Sequence, residues 1–338
     1  MNQSRGAGKG SRSVRAMIGI AGVALLLAAG LTGAWFYLAG EVDRRVVEIV
    51  DRAAGGGTAI TCDGRRVFGY PFRMGLACDR VGVEAPASGM SAAAGGFRAV
   101  AQIYNPNLIV SELDAPLRLA APELPPIAMN WTLAQASTHL SDGRLQRFSM
   151  VLDAPSIMPD GATAPLVQSQ RLEVHARQNA DDLDLALTDI AVTATPPGVG
   201  PLPPFDLSAD LSVAGGAEWL HGVLPGGRLE TALRGRSGSL RSLRLSLEGG
   251  GAAEISGPFQ FSAEGLLTGT YEIALQNPQA IADLVSRILP PAGGIANAIA
   301  GGVGLVGRQV DGRTVIEVEV RDGRARLGFI PLGNIPPL

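Results

Sequence analysis

The chain predicts a mainly β protein: an N-terminal transmembrane helix, then large antiparallel, curved β-sheet domains, with one or two short helices near the C-terminus. Three observations carry this. Apolar residues recur at every second position in segment after segment, the period of a strand with one buried face. Turns drawn from 45 Gly and 23 Pro separate those segments, at the roughly ten-residue rhythm of an antiparallel meander. Ahead of them all stands one uncharged run, residues 16–39.

Taken in order, residues 1–15 form a basic tail with Arg5, Lys9, Arg12 and Arg15 and no acid. The uncharged run that follows spans about 36 Å as a helix, enough for the roughly 30 Å hydrocarbon core with some tilt. It ends in Trp35-Phe36-Tyr37, where an interfacial aromatic belt is expected. Positive charge ahead of the span predicts a cytoplasmic N-terminus, a single pass through a bacterial inner membrane, and the bulk in the periplasm. The competing reading is a signal peptide cut near Leu38-Ala39-Gly40. Its apolar region would be roughly 7–15 residues, so the longer run favours an uncleaved anchor. Ala29 and Gly33 have the spacing of a helix-packing face, but apolar spans contain such pairs by chance, and a plain lipid-facing anchor is the simpler reading. Residues 41–54 continue the helix briefly.

The stretch that founds the exported part is residues 60–78. It holds the chain's two cysteines, Cys62 and Cys78, flanking the turn Gly69-Tyr70-Pro71. After the turn Phe72, Met74, Leu76 and Cys78 alternate as a strand, and residues 59–67 are its expected partner. The expectation is a hairpin stapled by a disulfide, worth roughly 3 kcal/mol in the chain-entropy model. An oxidising compartment favours that bond. The alternatives are a reactive pair or half a metal site. His139, His175 and His221 are scattered and never four apart, so no metal ligands are assigned.

Further strands are expected over 100–113, around Asn105-Pro106, and over 130–134. The run 144–153 breaks phase near Gln146, the mark of a bulge. Residues 171–177 turn Leu172, Val174 and Ala176 inward, and 182–190 do the same with Leu183, Leu185 and Leu187. Residues 195–204, rich in Pro and Gly, divide a β-rich region 40–194 from a second half, 205–338. That half holds strands to residue 275, a helix 278–289 with Asn277 as N-cap and Pro278 at its first position, and a glycine-weakened helix over 295–306. A terminal hairpin turns at Asp322-Gly323.

No residue set carries catalysis. Gly302, Gly304 and Gly307 match a dinucleotide-binding spacing but follow a helix rather than a strand. Gly235-Arg-Ser-Gly-Ser lacks the spacing of a nucleophile elbow. Asp181, Asp182 and Asp184 read as an acidic turn beside a half-buried strand rather than a cation site. Arg234, Arg236, Arg241 and Arg244 read as a solvated strand face, with anionic headgroups the rival partner. Trp131 and Trp219 read as core. With net charge −3 and Lys9 as the one lysine, nucleic-acid binding and lysine chemistry are not expected, nor is any cofactor.

A basic tail, one span, Cys62, the run Gly69-Tyr70-Pro71-Phe72-Arg73, Cys78 and then Tyr104-Asn-Pro106 together resemble an uncharacterised alphaproteobacterial family, domain of unknown function 2125. Residues 328–338, Gly-Phe-Ile-Pro-Leu-Gly-Asn-Ile-Pro-Pro-Leu, add to the resemblance, which covers nearly the whole chain. It implies an inner-membrane anchor with a periplasmic β domain and brings no catalytic residue. Residues 240–275 are similar to the C-terminal part of AsmA-like envelope proteins, a resemblance that implies long grooved sheets and lipid handling.

The expected function is therefore non-enzymatic: an anchored envelope protein binding or transferring a lipid in an apolar β-sheet groove. Alternating strands with few aromatics make a wide apolar face, and one good helix cannot cover it. The alternative is an assembly or scaffold protein whose sheets pack on each other and whose surface binds another envelope protein.

Overall fold

The computed structural model describes residues 10–122, 124–222 and 231–338, so part of the basic tail lies outside the described residues. Helix α1 (Gly10–Gly55) is a single rod of 46 residues, about 69 Å long at 1.5 Å per residue. It continues well past the apolar span and stops at Gly56-Gly57, where Gly57 takes φ 81, the left-handed conformation that ends helices without a Cβ penalty.

The chain then lays down strands in alternating pairs. They are β1 (Ala59–Asp63), β2 (Arg66–Phe68), β3 (Arg73–Cys78), β4 (Arg80–Ala85), β5 (Met90–Ala94) and β6 (Phe97–Gln102). Next come β7 (Asn105–Leu113), β8 (Leu117–Ala121), β9 (Leu124–Asn130), β10 (Leu133–Ser141) and β11 (Arg144–Asp153). After these lie β12 (Ser156–Pro159), β13 (Val167–Gln168), β14 (Arg171–Asn179) and β15 (Asp182–Ala194). All pairings are antiparallel, and they build two arms. The long arm runs β2-β3-β6-β7-β10-β11-β14-β15. The short arm runs β1-β4-β5-β8-β9-β12-β13 and ends on the last residues of β15.

The arms are one sheet folded along a line. Each long stretch of chain passes from one arm to the other through a bend of one to three residues: Asp79, Gly95-Gly96, Asp114 to Pro116, Trp131-Thr132, Ala154-Pro155 and Ser169-Gln170. Hydrogen bonds continue through the bends. The Gly95 amide donates to the Asp114 carbonyl at 3.1 Å, Thr132 to Asp153 at 2.9 Å, and Ala154 to Gln170 at 2.9 Å. A Cβ on Gly95 would stand 2.9 Å from the Asp114 carbonyl oxygen, so this bend requires glycine. In β15 the strand itself makes the turn, by a register shift between Asp189 and Val192 with Ala191 at φ 53. The sheet is open and does not close into a barrel.

Beyond Ala194 only the long arm grows. It adds β16 (Phe205–Val213), β17 (Ser237–Leu247), β18 (Ala252–Phe261) and β19 (Leu267–Gln276), with the one-turn helix α2 (Ala217–Leu220) between β16 and β17. Two helices follow, α3 (Pro278–Ile288) and α4 (Pro290–Val306), then β20 (Arg308–Val310), β21 (Arg313–Arg321), β22 (Arg324–Leu327) and β23 (Ile330–Asn334). Where the short arm stops, the helices replace it as cover. Ile281 and Leu284 of α3 pack with Leu247, Leu202 and Ala194, and Val303 of α4 packs with Ile273, Ile316, Val318 and Leu327. The cluster around Val303 is the larger of the two buried cores of the described residues, because here the helices cover the apolar layer of the sheet.

Several expectations need correction. Residues 59–67 are not one strand: Gly64 at φ 62 breaks them, and the piece holding Cys62 pairs with β4, not with the strand of Cys78. The disulfide forms, with Cα atoms 5.2 Å apart, yet it ties the short arm to the long arm instead of stapling a hairpin. Residues 130–134, read as a strand, contain a fold-line bend. Asn277 does not cap α3 with its side chain; it sits at φ 47, and Pro278 opens the helix. Pro290 ends that helix but also begins α4, which starts five residues before the expected Ile295. The bulge near Gln146 is present, opposite His139 and Leu140. The turns at Asp142-Gly143, Asp311-Gly312 and Asp322-Gly323 have two consecutive positive φ values, as tight hairpins require. Residues 195–204 join β15 to β16, which pair from Leu183↔Val213 to Asp189↔Leu207 and, past the register shift, at Val192↔Phe205.

Candidate functional site

Alternation in the strands puts their apolar residues on one face, and register aligns them into rows across the sheet. In the long arm one row runs through Met150↔Val174, Val174↔Leu187, Leu187↔Ala209 and Ala209↔Leu243. In the short arm Val83↔Ala92, Ala92↔Leu119, Leu119↔Ile127 and Ile127↔Pro159 form a matching row. The two apolar faces look inward across the fold line. At one end the Cys62–Cys78 bridge joins them; at the other, Val167 and Ala194 of the short arm meet Leu245 and Leu247 of the long arm.

The result is a trough whose floor is unevenly covered. Helices α3 and α4 bury its C-terminal third, and Gly216 and Ala217 lie over Leu183 and Val213. Between these, Val174, Leu185, Leu187, Leu211 and Leu243 stay part-buried. On the short arm an open cavity of about 440 Å³ is walled by Val83, Met90, Ala92, Leu119, Pro125 and Ile127. That size suits a small-molecule or acyl-chain site, whose usual range is roughly 300–1,000 Å³.

One acid interrupts the apolar rows. Asp189 stands between Leu172 and Leu207 at the fold line, and one of its carboxylate oxygens is buried without a hydrogen-bond partner. Burial pushes its carboxyl above the usual range, against the opposing pull of the Ser169 hydroxyl and the Ile190 amide. Strand alternation over 182–190 places Asp189 on the same inward face as Leu183, Leu185 and Leu187; its burial is visible only in the fold.

The outer face of the long arm is polar. Asp184, 4 % exposed, accepts hydrogen bonds from Arg177 at 3.0 Å and Arg241 at 3.1 Å, and Arg241 also reaches Asp210 at 2.6 Å. Burial raises the Asp184 pKa, but donors from Arg241, Arg177 and Ser212 outweigh it and hold the carboxyl below the usual range. Asp182 accepts the Gly215 amide. The expected arginine cluster is thus split: Arg241 pairs with acids, Arg236 with the Gly215 carbonyl, Arg244 with Ser246, and Arg234 with the Leu338 carbonyl. Gly302 and Gly304 lie within α4, and Gly307 follows its last residue. Trp131 is part-buried and donates to the Leu113 carbonyl. Among the described residues no group of His, Cys, Asp and Glu is arranged to hold a metal ion.

The run Gly69-Tyr70-Pro71-Phe72-Arg73 closes the β2–β3 hairpin against α1. Trp35, expected in a membrane belt, is instead 6 % exposed, and its indole N–H donates to the Arg73 carbonyl at 2.9 Å. Tyr70 packs edge-on to Trp35 at 5.6 Å and stacks on Phe36 at 6.2 Å, while its hydroxyl meets that of Thr32 at 2.7 Å. A Cβ on Gly69, at φ 107, would stand 2.9 Å from both the Arg73 Cβ and its carbonyl oxygen; glycine lets the turn close this tightly. Higher on the helix Asp43 pairs with Arg65 at 2.8 Å, and α1 contacts both edge strands, β1 and β2.

Fold and site together define an open antiparallel β-sheet protein with one disulfide, carried on a helix long and apolar enough to cross a membrane. The chain belongs to the family described as "Uncharacterized protein conserved in bacteria" (DUF2125), whose profile matches residues 35–336. No curated protein and no solved structure matches it.

Proposed function

We propose that this chain is a non-enzymatic envelope protein, held in the inner membrane by α1 with its bulk in the periplasm, that binds or transfers a lipid in the trough. One observation carries the reading: an apolar face continuous over both arms, buried by helices at its C-terminal end and only part-buried over its middle. A face of that kind in water is costly at about 25 cal/mol per Å² and calls for an occupant. The location is supported by the basic residues ahead of the span and by the disulfide, which an oxidising compartment maintains. Leu185, Leu187 and Leu243 are less deeply buried than Ile273 and Ile316, which supports an occupied trough over a scaffold whose sheets pack on each other.

The test is extraction of the purified full chain, taken from membranes in mild detergent, followed by mass spectrometry of what co-purifies. Stoichiometric phospholipid or another acyl-chain lipid is expected. An empty protein that also moves no fluorescent phospholipid between vesicles would overturn the reading.

A further inference from the structure

The loops at the free edge of the long arm differ sharply in chemistry. The two nearest α1 carry Tyr70-Pro71-Phe72 and Ile103-Tyr104, held side by side by the Ile103 amide donating to the Phe72 carbonyl at 3.1 Å. The next two carry Asp142-Gly143 and Ala180-Asp181. Phe72 is 64 % exposed, Tyr104 75 %, and Phe36 and Tyr37 on the adjoining face of α1 are exposed as well. Phe329 apart, the exposed aromatics of the described residues are therefore concentrated at one place in a chain with only 5 % aromatic residues.

That place has a defined height. The uncharged part of α1 whose large apolar side chains are exposed is residues 16–31; these 16 positions rise about 24 Å, most of the roughly 30 Å hydrocarbon thickness. The first protein contact above them is Thr32 with Tyr70, then Trp35 with Arg73. The aromatic loops thus stand where lipid-covered helix gives way to domain. Phe and Tyr rings at that depth lie in the headgroup layer, with the Tyr70 hydroxyl satisfied by Thr32.

We infer that Phe36, Tyr37, Tyr70, Phe72 and Tyr104 form a foot seated in the interfacial layer of the bilayer, so that the free edge of the long arm rests on the membrane beside its own anchor. The occupant is the bilayer surface, because the patch is continuous with the spanning helix and confined to the loops beside it. The inference rests on the anchor in the proposed function and is independent of any lipid in the trough.

The full chain carrying Tyr104→Trp is reconstituted in vesicles of phosphatidylethanolamine and phosphatidylglycerol, with and without acyl chains brominated near the headgroup. Emission beyond that of Trp35, Trp131 and Trp219 is obtained by subtracting the unsubstituted protein. Ser141→Trp, at the neighbouring β10–β11 turn, serves as the control outside the foot. The inference expects added emission shifted to the blue and quenched by the brominated lipid for Tyr104→Trp, and neither for Ser141→Trp. A water-like emission for Tyr104→Trp would overturn it. So would a blue-shifted emission that bromine leaves untouched, which would put a second copy or another protein on the patch. Equal quenching of both variants would also overturn it, since the contact would not be confined to the foot. Failure here with lipid still co-purifying removes the foot and leaves the trough; quenching with an empty protein does the reverse.

Discussion

Removing the disulfide, with Cys62→Ala and Cys78→Ala together, tests the two-armed architecture. The cysteines are 16 residues apart, and closing a loop of that length is worth about 3 kcal/mol. This corresponds to roughly a hundredfold in an opening equilibrium, at about 1.4 kcal/mol per decade. The bridge joins the edge strand of the short arm to the long arm, at the end of the trough farthest from the α3–α4 core. The loss should therefore be local, a separation of β1 and β4 from the rest rather than global unfolding. Hydrogen–deuterium exchange on the full chain in detergent reads this directly. Amides of β1 and β4 should exchange up to about a hundredfold faster, while those of β19 and β21 beneath α4 keep their protection. A uniform acceleration across the chain would refute the reasoning, because it would mean that the arms do not open separately. Unchanged exchange in β1 would refute it too.

Four further outcomes are expected. Trp35→Phe removes the hydrogen bond to the Arg73 carbonyl and should cost about 1 kcal/mol of docking between α1 and the Gly69–Arg73 turn; faster proteolysis within residues 69–73 is the readout, and unchanged cleavage would count against the clamp. Asp184→Ala strips two arginines of a shared acceptor and should destabilise by roughly 1–3 kcal/mol, less than for a fully buried pair because both guanidinium groups reach water; the difference should shrink as pH falls and wild-type Asp184, whose pKa is held low, is protonated. Asp189 has the opposite sign. Its raised folded pKa means that folding favours the protonated form, so its contribution is greatest at low pH and is lost as pH rises from the usual aspartate range through the folded value. Asp189→Asn should therefore gain on wild type in thermal melts over that interval, and a constant difference would refute the assignment. Leu187→Asp, on the part-buried floor, should leave the fold intact and lower the lipid that co-purifies; unchanged lipid would move the site elsewhere.

Much of the secondary structure could be read from the chain, because alternation is a local signal. Leu172, Val174 and Ala176 face inward as their spacing requires, and Pro278 opens a helix as its fixed φ requires. Pairing order was hidden, since it depends on where the chain crosses the fold line. Those crossings use one to three residues of no common type, Asp79 in one case and Trp131-Thr132 in another, and they resemble ordinary turns or pass unnoticed inside a strand. The Cys62–Cys78 bridge forms as expected, but the partner of the strand holding Cys62 differs for this reason: it depends on Gly64, whose positive φ splits an otherwise plausible strand. Trp35 was misplaced for a different one. Its position in an aromatic triplet at the end of an apolar run is the same whether the ring meets lipid or protein, and only the Arg73 carbonyl decides. The trough itself was foreseeable as an excess of apolar strand surface over helix, but not that two helices would cover one end and leave the middle open.

The unbroken course of α1 has a mechanical consequence. The helix runs unbroken from Gly10 to Gly55, and with fastenings at Trp35, Asp43 and the edge strands the β-sheet part cannot swivel on it. A tilt or rotation of the rod is therefore delivered whole to the trough and sets the direction in which its opening points.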